Sequence, residues 1–74
     1  MDWKEMYNVI LEIINNPIGV VKGMIYSSHE TEDEALASLN EAYRAISSAN
    51  KRIDGNYFAI GLPAGIYVRG QVIS

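Results

Sequence analysis

Cysteine is missing from this 74-residue chain, and histidine, tryptophan and phenylalanine occur once each. Without cysteine there is no disulfide, no thiolate metal site and no thiol nucleophile. A single imidazole, His29, makes a histidine-based zinc site improbable, and no serine sits in a G-x-S-x-G elbow. Long apolar runs are absent as well: nothing approaches the roughly eighteen residues that span a bilayer, and the start "MDWKEMYN" is acidic and amphipathic, unlike a signal peptide. A cytoplasmic chain with no membrane partner is expected. Basic residues are scarce, six against nine acidic ones for a net charge of −3. That balance argues mildly against duplex DNA or RNA, whose phosphates are met by lysine and arginine.

What is present is apolar: 49% of the residues are hydrophobic. A chain of this length forms one domain, 1–74, and at this size only about 60% of the unfolded surface is buried on folding. Disulfides, metals and self-association are the usual supplements to so small a core, and the composition leaves self-association.

The first segment, "DWKEMYNVILEIINN", places Glu5, Asn8, Glu12 and Asn15 three or four apart, the polar stripe of a helix from Trp3 to Ile14. Asp2 with Glu5 suits its N-terminal cap, and "NNP" ends it. The wide apolar arc then packs between the sheet and a second helix, or meets another subunit around Trp3 and Tyr7. The same segment also admits a strand, because "NVILEII" is rich in β-branched residues and "NNPIG" suits a hairpin turn. The helix is the preferred reading.

"IGVVKGMIYSS", residues 18–28, reads as a strand with Gly19, Val21, Gly23 and Ile25 on one face and Val20, Lys22, Met24 and Tyr26 on the other. A helix packed over Gly23 would leave Lys22 and Tyr26 outside. "TEDE" is a capping box, with Thr31 as the cap and Glu34 at the third position. From there Leu36, Leu39, Tyr43 and Ile46, extending toward Ile53, form a helical core face that stops at Gly55. Ala35, Ser38, Ala42, Ala45 and Ala49 make a small-residue edge suited to a neighbouring helix. "NYFAIGLPAGIYVRGQV" alternates as two strands around a "PAG" loop, begun by Pro63 and closed by a left-handed Gly65.

The expected fold is therefore α+β, in the order α-β-α-β-β. A right-handed crossover makes the first two strands parallel, giving a three-stranded mixed sheet with two helices on one face and one open face. On that open face fall Lys22, Met24, Tyr26, Tyr57, Tyr67, Arg69 and Gln71. Tyrosine and arginine are enriched in protein interfaces, whereas lysine and glutamate are depleted. The leading expectation is a non-enzymatic interaction module, a homo-oligomer that binds or inhibits a partner protein in the manner of small accessory proteins of bacteria and phages. Lys22, Tyr26, Tyr57, Tyr67, Arg69 and Gln71 would form its surface. The alternative is a small ligand-binding protein whose tyrosines hold a nucleotide-like molecule, or a single nucleic-acid strand, while Arg69 and Lys22 meet phosphate. The cluster "HETEDE" superficially suggests a metal site, but its carboxylates sit where a helix N-terminus wants negative charge. No metal and no cofactor are expected.

Overall fold

A computed structural model of the protein describes residues 6–48 and 50–74. Its element order is β1 (Tyr7–Asn15), β2 (Gly19–His29), α1 (Glu32–Ser47), β3 (Tyr57–Gly61) and β4 (Ile66–Ile73), with a single 3-10 turn at Pro63–Gly65 between the last two strands. The four strands form one open sheet in the order β2-β1-β4-β3, and every neighbouring pair is antiparallel. Residues 1–5 lie outside the described residues, and with them the cap assigned to Asp2 and Glu5 and any contact of Trp3.

The first segment is a strand, which corrects the expected helix. A central strand receives neighbours on both edges and can carry apolar residues on both faces, so the run imitates a buried helix when only its polar spacing is read. Val9 and Leu11 face α1, while Ile10, Glu12 and Ile14 face away. The polar stripe Asn8, Glu12 and Asn15 is an accident of spacing. The β-branched composition and the Asn15–Gly19 hairpin, closed through a cis Asn16–Pro17 peptide, give the true state.

That change reorganises the sheet. With a hairpin in place of a helix, the sheet gains a fourth strand and loses the parallel pair. β2 and β3 become its two edges, joined by α1 crossing from one edge to the other. One helix covers one face, so the expected pair of helices is corrected to one.

α1 begins where its capping box places it: Thr31 Oγ1 accepts from the Glu34 amide at 3.2 Å, and Glu32, Asp33 and Glu34 occupy the first turn. It ends at Ser48, whose φ of 57° is left-handed, ahead of the stop expected at Gly55. The face it buries is Ala35, Ser38, Leu39 and Ala42. Of the expected small-residue edge, Ala35, Ser38 and Ala42 thus meet the sheet instead of a neighbouring helix, Ala45 is exposed like Ile46, and Ala49 lies outside the described residues. Short side chains let the helix axis approach the sheet closely enough for Leu39 and Val9 to be fully buried. Buried Asn40 donates to the Leu36 carbonyl at 3.1 Å and accepts from the Ile53 amide at 2.7 Å, tying the loop after α1 back onto the helix.

The β3–β4 hairpin forms as its alternation indicates. Its turn takes two left-handed residues in succession, Ala64 at φ 67° and Gly65 at φ 74°. Phe58 of β3 faces Gly70 of β4, and its ring occupies the space that a side chain at 70 would need. Tyr43 of α1 meets that ring edge-on, with centroids 5.4 Å apart. Gly70 is therefore neither a bulge nor a bend. It makes room for the only phenylalanine.

Gly70→Ala should destabilise the domain by about 2 kcal/mol, because the added methyl overlaps the Phe58 ring and overpacks the core. Gly61→Ala, with nothing within 4 Å of the new carbon, should stay within about 0.5 kcal/mol of the parent. Urea denaturation of both variants checks the contrast; equal losses would refute this account of Gly70.

Candidate functional surfaces

The strand register decides where each candidate residue points, because directly opposed residues in an antiparallel pair share a face. Glu12 of β1, Arg69 of β4 and Ala59 of β3 form one rung on the face away from α1. Gln71 lies opposite Tyr57 and Ile10, and Tyr67 lies opposite Ile14 and Gly61. Four of the expected surface residues, Tyr57, Tyr67, Arg69 and Gln71, are thus brought together on the open face.

Lys22 is not, and the register assigns Tyr26 to neither face. Two register shifts in the β1–β2 pair, at Val9/Ile10 and Ile13/Ile14, leave Tyr26 and Val21 as extra, unopposed residues. Between them Lys22 faces Ile13 and Met24 faces Leu11, on the helix side, while Gly23 faces Glu12 on the open side. A strict period of two cannot register a bulge, and each bulge reverses the alternation beyond it.

The open face carries a polar centre that is already satisfied. Arg69 donates from Nε at 3.0 Å and from its terminal guanidinium nitrogen at 2.7 Å to Glu12 Oε1, and Gln71 Nε2 donates to the same oxygen at 3.0 Å. Hydrogen bonding to Glu12 raises the Arg69 pKa above its already high ordinary value, so the guanidinium stays charged at any pH the fold meets. Glu12, placed by its spacing in the polar stripe of the expected helix, is the residue that sequence reasoning missed. Its signal is an isolated acid within a β-branched run, matched by an arginine and a glutamine two apart in a later strand.

This pairing bears directly on anion binding. The two cations expected to meet phosphate lie on opposite faces, and one is neutralised by a carboxylate of its own chain. What remains exposed on the open face beside this closed ionic cluster is Tyr57 with two isoleucines, Ile25 and Ile73.

A second constellation joins the helix to the sheet. His29 Nε2 lies 2.8 Å from Ser27 Oγ, which is 2.7 Å from Ser38 Oγ on α1, and His29 Nδ1 lies 3.8 Å from Glu34. The connectivity is that of a Ser–His–acid relay. The geometry is that of a seam: Ser27 is held on its other side by nearly buried Ser38, and 3.8 Å is too long for a hydrogen bond. The group fastens β2 beneath the N-terminal half of α1. Among the described residues no three metal-ligating side chains converge, and no helix is long and apolar enough to cross a membrane.

On the helix side, an apolar cavity of about 260 Å³ lies beside the C-terminal half of α1, lined by Leu11, Ile13, Lys22, Met24, Ile46 and Val68 among others. Its volume falls just under the range of ordinary small-molecule sites. The neighbouring edge, β2, carries a run of apolar exposure in which Val20, Val21, Met24, Ile25 and Tyr26 are all exposed.

Compared with known proteins, the chain matches no family model, and no curated protein or solved structure resembles it at a significant level.

If the Glu12–Arg69 pair is a coupled unit, Arg69→Met should lower the melting temperature by several degrees, since it strands a carboxylate whose side chain is only 15% exposed. The double variant Glu12→Leu with Arg69→Met should recover most of that loss. Additive losses in a thermal-melt cycle would show that the pair is not coupled.

Proposed function

We propose that this chain is a non-enzymatic protein-interaction module that works by strand addition at its β2 edge. The observation that carries the reading is the edge itself. β2 runs for 11 residues, and no strand among the described residues pairs with its outer side. Val21 and Ile25 are 60% and 62% exposed.

Edge strands present unpaired backbone donors and acceptors, and natural proteins blunt them with short length, charge, proline or bulges. The two edges of this sheet differ in that respect. β3 is kept to five residues. β2 is more than twice as long, contains no proline, and has Lys22 as its only lysine, arginine, aspartate or glutamate. Its two bulges interrupt the ladder but leave Lys22–Ile25 regular between them. A partner strand laid there would satisfy the backbone and cover the β-branched side chains together, the pairing by which β-augmentation gains affinity from main chain and specificity from alternate pockets. The self-contained Glu12–Arg69–Gln71 cluster removes the anion contact on which the nucleotide reading depended, so support moves from the open face to the edge.

The test is a titration of isotope-labelled protein with extended, β-branched peptides selected against it by display, followed by amide spectra. Shifts concentrated at Val20–Tyr26 and abolished in Val21→Lys are expected. Shifts centred on Tyr57, Tyr67 and Gln71, or failure of the protein in monomeric form to bind any selected peptide, would overturn the edge reading.

A further inference from the structure

The β2 edge fits one occupant better than any unspecified strand, and we infer that this occupant is a second copy of the chain, paired antiparallel through β2 with Gly23 facing Gly23 across a two-fold axis. The inference rests on the edge reading above and adds the partner and the register.

Self-complementarity supports it. In an antiparallel pair related by a two-fold axis perpendicular to the sheet, one residue must oppose its own copy, and residues equally displaced on either side oppose each other. Centring on Lys22 would set two ammonium groups face to face, which is destabilising. Centring on Met24 would oppose Ile25 to the bare Gly23 and waste the most exposed apolar side chain of the regular stretch. Centring on Ile25 would oppose Met24 to Tyr26 but set Gly23 and Lys22 against Ser27 and Ser28. Centring on Gly23 opposes Val21 to Ile25, a β-branched pair, and lays the aliphatic stem of Lys22 beside Met24 while the two lysines stay offset. Gly23 itself leaves the axis uncrowded.

Area supports it too. The exposed portions of Val20, Val21, Met24, Ile25 and Tyr26 come to roughly 500 Å² per copy, so these side chains supply at most about 1,000 Å² to a pair before backbone is counted, at the lower bound of a specific interface. Association should therefore depend on concentration, and for a chain of 74 residues with a small core it would add the stabilisation that no disulfide provides.

The geometry also places the helices. A perpendicular two-fold keeps both α1 helices on the same face of a continuous eight-stranded sheet. α1 lies over β1, β4 and β2, so the β1 strands of the two copies, three strand spacings apart, hold the helices at least about 14 Å apart, beyond the 8–10 Å of direct helix packing. A groove results between them, with Lys22 and Met24 of both copies as its floor. Met24 of each copy then stands against the Lys22 wall of the other's apolar cavity.

The cysteine-free chain makes the register directly readable. Single cysteines at 21 through 25 should show disulfide cross-linking fastest at Gly23→Cys, where opposed Cα atoms fall within bridging distance, and slowly at Lys22→Cys and Met24→Cys, whose copies are diagonal. A mixture of those two variants should form the mixed dimer. A carbon at Gly23 meets nothing closer than Glu12 Cγ at 3.6 Å, so the variant should fold. Sedimentation of the unsubstituted protein, expected to show a monomer–dimer equilibrium abolished by Val21→Lys, keeps the test independent of any cysteine. Fastest cross-linking at another position, or a dimer unaffected by Val21→Lys, would overturn the register. A monomer throughout would overturn the second copy; peptide-induced shifts at Val20–Tyr26 in that monomer would leave the edge reading standing, and their absence would remove both.

Discussion

The structure depends on β1 being a central strand. Both of its edges are hydrogen-bonded, to β2 by a local hairpin and to β4 across most of the chain's length, and one of its faces supports α1. Val9 sits at the crossing of these constraints and is fully buried, with Leu39 above it. The small face of the helix follows from this arrangement. A sheet whose middle is filled by Val9, Leu11, Val68 and Phe58 leaves little depth for the helix, and Ala35, Ser38 and Ala42 let it settle close. The seam of Ser27, Ser38 and His29 is the polar part of the same contact.

Covering one face of a four-stranded sheet with one helix leaves the other face to be reconciled with water by its own side chains. Glu12, Arg69 and Gln71 do so across two strands, converting what would be an isolated carboxylate between isoleucines into a closed cluster. Such a cluster is costly to break and of small net benefit compared with an apolar substitute, so its more telling effect is on register. A slip of β4 by one residue would bury the guanidinium beneath α1 and leave Glu12 without a donor. The open face is thus specified by polar pairing, while the helix face is specified by packing.

The asymmetry of the two edges carries the functional argument. Neither has an outer partner among the described residues, yet one is five residues long and the other 11. The long one is the arm of β2 that α1 covers only in part and that β1 supports from one side. Its apolar residues are only partly buried by the monomer fold. A strand supplied from outside would complete their burial and the backbone pairing in a single step.

Much of this was legible in the residues. The capping box from Thr31 to Glu34, the alternation of β3 and β4 and the left-handed residue near Gly65 are local features, each decided by groups within a few positions of one another, and each holds in three dimensions. The open face with Tyr57, Tyr67, Arg69 and Gln71 was legible for the same reason: alternation in an unbulged hairpin needs no partner to be read. What tertiary structure alone decided was the state of residues 7–15, the face of Lys22 and the role of Glu12. An apolar, β-branched run is stable as a strand only when two neighbours complete its backbone hydrogen bonds, and one of those neighbours, β4, lies 57 residues away at the Glu12–Arg69 pair. The bulges that turn Lys22 toward the helix likewise arise from pairing β2 against β1, a fit between two strands that neither strand records by itself.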